Sequence, residues 1–109
     1  MKASTARVAE VNVPAVERYK EMRDLLRERP GLDPLLCEIL ITTQLALLGH
    51  ETAFKMHALR LFDLKVSKER LDDLILVGLG VTFVIPHAAK VLNWVAEAHE
   101  VYETHGKLA

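Results

Sequence analysis

The chain has 109 residues, half of them hydrophobic with few aromatics, and a formal charge of -1 from 14 basic and 15 acidic side chains. That suits one domain with a modest aliphatic core, near the size where association helps, and gives no reason to expect nucleic acid or an anionic membrane as partner. The longest apolar run, Ile39 to Leu48, is too short for a bilayer, Met1 to Asn12 lacks a signal-peptide pattern, and the single Cys37 cannot form an internal disulfide, so a soluble cytoplasmic protein is expected.

Met1 to Val11 has no clean period and reads as an N-terminal arm. Asn12 is a helix cap with Pro14 in the first turn, predicting a helix to about Arg29. Its apolar stripe is Val16, Tyr19, Met22, Leu25 and Leu26, and its solvated face includes Lys20, Arg23, Asp24 and Arg27. Pro30-Gly31 ends it, and Asp33-Pro34 opens a second helix, Leu35 to Leu48. That helix has no broad polar face, so it is expected to be buried all round, with a neighbouring subunit covering what one chain leaves bare.

Gly49 allows a turn into a third helix, about His50 to Leu64, with Phe54, His57, Ala58, Leu61 and Phe62 on its apolar side. Ser67 caps a fourth helix to about Leu79, burying Leu71, Leu74, Ile75 and Gly78. Val81 to Ile85 is β-branched enough to mimic a strand but has no partner strand, so it reads as a connector or continued helix. Pro86 begins the last helix, His87 to about Thr104, burying Ala88, Val91, Leu92, Val95, Ala96, Ala98 and Tyr102. His105 to Ala109 is expected to fray. The sum is a single all-α domain, a bundle of five or six helices.

Glu38, on the second helix, and His57, on the third, are placed to meet across the pair. A carboxylate and an imidazole so joined are suited to proton transfer, and equally to an ordinary buried ion pair. His50 shares a face with His57 but stands seven residues away, ~10 Å along the axis, which does not suit two ligands of one metal. With one thiol in the chain, no metal site is expected. Arg60, one turn beyond His57, can hold a substrate carboxylate or form a surface ion pair. His87, at a helix start, can face a cavity or solvent. Trp94 can line an interface, a pocket or the core, and Cys37 reads as a small buried hydrophobe. No phosphate loop, Ser-His-Asp order or nucleic-acid motif is present.

On these residues the run from Asp33 to Tyr102 resembles the carboxymuconolactone decarboxylase / alkylhydroperoxidase AhpD-like family. The peroxidase branch carries a glutamate, a CxxC pair and a histidine; Glu38 and His57 match the outer two, while His50 and Ala53 stand where the thiols belong. The resemblance therefore points away from peroxidase chemistry, which needs an attacking and a resolving sulfur. In the decarboxylase branch a Leu-Gly-Arg-Glu-x-x-Phe-Arg-x-His stretch is similar to Leu48 through His57. Val66-Ser67-Lys68-Glu69 and Pro86 with Ala88-Ala89 also fit. The chain departs from the pattern at Cys37 (usually arginine), at Leu64-Lys65 (usually Asn-Gly) and in Thr82 to Pro86, where a tyrosine and a glycine are missing.

The resemblance implies an all-α fold assembling as a homotrimer or hexamer, without cofactor. It implies a lyase or isomerase acting on a small lactone or carbonyl compound. His57 is then the proton donor, Glu38 its orienting group, and His50, Arg60 and His87 contact substrate. The alternative is a non-catalytic oligomer of the same fold that binds a small molecule or partner.

Overall fold

Six α-helices follow one another in the computed structural model, which describes residues 3–105: α1 (Ser4–Ala9), α2 (Val13–Arg27), α3 (Pro34–Leu48), α4 (Glu51–Asp63), α5 (Lys68–Leu76) and α6 (Ile85–His105). The architecture is the expected all-α bundle. Its helix starts are written in the caps. The Asn12 side chain accepts from the Ala15 N–H at 3.1 Å, Asp33 from Leu36 at 3.2 Å and Ser67 from Arg70 at 3.0 Å. Between α3 and α4, Gly49 takes the left-handed conformation (φ 80°) and the N–H groups of Gly49 and His50 return to the carbonyls of Ala46 and Leu45.

Helix α4 is the centre of the body. It packs between α3 and α6, and α5 closes on α6. Phe54, Leu59, Leu61, Leu71, Ile75, Val91 and Val95 are fully buried, and the rings of Phe54 and Trp94 meet at 6.0 Å. Two-sided packing explains why Met56 and Leu59 are buried beyond the single stripe expected for this helix. Trp94 belongs to the core, whereas Ala96, expected inside, is exposed.

The connections and the N-terminal segment complete the picture. Ser4 to Ala9, read from the sequence as part of an arm, is a short helix packed on α2 of the same chain. The segment from Val81 to Val84 is a connector, one of the two forms expected, in which the N–H groups of Val81, Thr82 and Phe83 converge on the Gly78 carbonyl before α6 starts at Ile85. A Cβ on Gly78 would stand 2.5 Å from Thr82 Oγ1 and 3.1 Å from the Phe83 ring, so this tight return needs glycine. Helix α3 is left partly bare by its own chain, as expected. Thr42 and Ala46 are sealed, but Leu36, Leu40, Leu47 and Leu48 stand in the open.

Helix α2 departs furthest from expectation. It packs on α1 and touches the α3–α6 body sparsely. Of its apolar stripe only Val16 is buried (7 % exposed); Tyr19, Met22, Leu25 and Leu26 are all exposed, Leu25 at 70 %. The amphipathic pattern was legible, but the polar side is the one that faces the chain's own body. The expected fraying of the tail falls mostly on residues 106–109, outside the described residues. No helix among the described residues is long and apolar enough to cross a membrane.

Candidate functional site

Helices α3 and α4 run side by side, and this brings Glu38 to His57. The carboxylate Oε1 meets the imidazole Nδ1, with both side chains largely withdrawn from solvent, 12 % and 22 % exposed. The backbone below is held by Thr42, fully buried, whose hydroxyl donates to the Glu38 carbonyl at 2.7 Å. A carboxylate accepts only, so Nδ1 carries the proton in this pair. Nε2 is then the nitrogen left for chemistry: a base when the ring is neutral, an acid when it is charged.

Arg60 lies one turn further along α4. Its Nη1 is 3.4 Å from both Nδ1 and Nε2 of His57. A nitrogen in the ring plane and equidistant from both would collide with Cε1 between them. The guanidinium therefore lies across the ring face, as arginine does on aromatic planes. The imidazole is held by a carboxylate at one edge and covered by a cation on one face.

Both His57 and Arg60 open onto a cavity of about 480 Å³ between the α1–α2 hairpin and the α3–α4 pair. That volume lies within the range of about 300–1,000 Å³ usual for small-molecule sites. Ile41, Leu45, Ala53 and Met56 form its apolar wall. The opposing wall comes from α2: Tyr19, Lys20, Arg23, Asp24 and Arg27. Four permanent cations thus border the space against one carboxylate, and that carboxylate already binds Arg27 at 2.6 Å.

The α2 residues were missed by sequence reasoning, which assigned them to a solvated face. The signal was the spacing of Lys20, Arg23 and Arg27 from Val16, at steps that keep all four on one side of the helix.

The other expected site residues lie elsewhere. His50 is the residue before α4, exposed and without a capping bond; it borders a neighbouring shallow depression with Ser4, Gly49 and Ala53. It does not line the His57 cavity, because it precedes the first turn of α4 while His57 sits in the middle. His87 donates from Nε2 to the Ala46 carbonyl at 2.8 Å and stacks on Phe83, their centroids 5.3 Å apart. Its role is to pin α6 to the end of α3, and the surface depression beside it is a different one, shared with Trp94 and Glu97. Cys37 is a half-buried free thiol.

Among the described residues no three His, Cys, Asp or Glu side chains gather as a metal site would require. The chain matches no family model, no curated protein and no solved structure.

Proposed function

We propose that this chain is a decarboxylase-like lyase or isomerase, using His57 to return a proton to carbon in a small lactone or carbonyl acid. The observation that carries this reading is the Glu38–His57 pair opening onto a cavity beside Arg60. In a β,γ-unsaturated lactone acid, the bond to the carboxylate breaks, CO₂ leaves and the electron pair spreads into a dienolate. Arg60 offsets the negative charge of the acid and of the dienolate. The Nε2–H of protonated His57 gives its proton to carbon, and the ring regains one from solvent. Glu38 fixes the tautomer and steadies the charged ring throughout.

Membership of the carboxymuconolactone decarboxylase-like branch is part of the proposal and rests on the stretch Leu48 to His57. So is assembly as a trimer or hexamer, which the bare leucines of α2 and α3 favour, since exposed apolar surface of that extent marks association.

The test is proton exchange. A panel of small unsaturated lactone acids and β-keto acids is incubated with the protein in D₂O, and NMR follows deuterium entering carbon and loss of the carboxyl group. Incorporation by the native chain and its loss in a folded His57→Ala variant are expected. No incorporation into any member, or full retention in His57→Ala, removes the acid–base reading and leaves a binding protein.

A further inference from the structure

Two rows of large apolar side chains find no partner within the chain. On α2, Tyr19, Met22 and Leu26 recur at steps of three and four with Leu25 beside them, and all four are exposed. On α3, Leu36, Leu40 and Leu47 share one side and are exposed as well. At roughly 100° per residue, that side lies about 140° round α3 from Ile41 and Leu45, which border the cavity beneath α2. The two rows therefore cannot cover each other within one molecule. They do match across two. The α3 row is about 16 Å long and the α2 row about 10 Å, so one fits along the other. Helix α3 carries a single charged side chain, Glu38, already joined to His57, so its bare row offers no ion pair and suits an apolar helix. The seven side chains expose roughly 800 Å², which with a polar rim reaches the ~1,200 Å² where specific interfaces begin.

We propose that a second copy lays the bare row of its α3 along the α2 row of the first, and that this contact seats α2 as a wall of its own cavity. Within one chain α2 packs on α1 and touches the α3–α6 body sparsely, with the cavity between them. The neighbour supplies at the outer side of α2 the apolar surface that its own body does not, and so holds the inner side over His57 and Arg60. The site is thus complete only in the assembly. Two different faces meet in this contact, so it runs head to tail and closes as a ring. All of this rests on the cavity being the reactive site proposed above, and it adds which surfaces assembly uses and what assembly does for that site.

Sedimentation and amide hydrogen exchange of the full chain test this. Leu26→Lys and Leu40→Lys, both at exposed positions, should each leave a helical monomer, its α2 amides exchanging about tenfold faster than in the native oligomer. Leu25→Lys and Leu36→Lys repeat the pair if circular dichroism shows either variant unfolded. Mixed together, the two variants retain one native contact, between α2 of the Leu40→Lys copy and α3 of the Leu26→Lys copy. A heterodimer and nothing larger should form. With one copy isotopically labelled, only α2 of the Leu40→Lys copy should regain protection. A monomeric native protein, dissociation by only one of the two variants, or a mixture without heterodimer overturns the proposal. So does a native oligomer whose α2 exchanges as fast as that of the monomers. Deuterium entry into carbon separates the two readings: assembly with α2 protection but no such entry sinks only the acid–base chemistry, and entry at full rate in both monomers sinks only completion of the site by a neighbour.

Discussion

Glu38 and His57 lie nineteen residues apart in the chain, yet the carboxylate of one meets Nδ1 of the other across the α3–α4 contact. Glu38→Gln keeps an acceptor oxygen there and removes the charge that steadies an imidazolium. The rate of deuterium incorporation should fall about tenfold or more in Glu38→Gln and by about 10²–10⁴ in His57→Ala, the usual share of a positioned acid or base. Ligand affinity measured by titration should change little in Glu38→Gln, which separates an orienting group from a binding one.

His87 serves the scaffold. Its Nε2–H satisfies the Ala46 carbonyl at the end of α3, and its ring lies between Phe83 and Trp94. Truncation to alanine removes a hydrogen bond and an aromatic contact, together about 2 kcal/mol. Chemical denaturation should show that loss, while proton exchange at His57 in the folded fraction should be unchanged. A loss of exchange at equal folding would instead return His87 to the reactive site.

Lys65 is the single non-glycine residue among those described with positive φ, at 71°. An L side chain in this region is strained by roughly 1–2 kcal/mol, and glycine's extra freedom in the unfolded chain offsets part of the relief. Lys65→Gly should therefore raise the unfolding free energy by roughly 0.5–1 kcal/mol. Lys65→Ala should not, which denaturant midpoints will show.

Lys55 pairs with Glu51 on its own helix at 2.8 Å and joins α4 to α6 through Glu97 at 2.5 Å. Burial pulls its ammonium down, but the hydrogen bonds and charges of Glu51 and Glu97 outweigh that and hold it above the ordinary 10.5. A raised value means the folded state holds this proton more tightly than the unfolded one. Its contribution is complete below 10.5 and is lost as pH climbs through the folded value. Denaturation midpoints of native protein should drop over that alkaline window more steeply than those of Lys55→Met. Parallel curves would show that the pair adds nothing.

Much of the body was readable because its signals are local. Asn12, Asp33 and Ser67 each bond an N–H three residues on, so each helix start is carried within one turn of sequence. The Glu38–His57 meeting was also legible, since steps of three and four fix which side of each helix a residue occupies. Ser4 to Ala9 escaped because its helix is stabilised by α2 and not by its own pattern. Periodicity also divides α2 into two faces without telling which one looks inward. The habit of turning the apolar side in failed there, so Arg23 and Lys20 were assigned to solvent. His50 and His57 share a face of an ideal helix, but α4 begins at Glu51, and a histidine outside the first turn does not follow that face.

Because α2 rests on the body across an open, charge-lined space, the hairpin it forms with α1 shares little dry surface with α3–α6. Cooperativity is carried by such surface. The two parts consequently need not melt as one: the hairpin can lift in a sub-global opening while α4 stays locked between its neighbours.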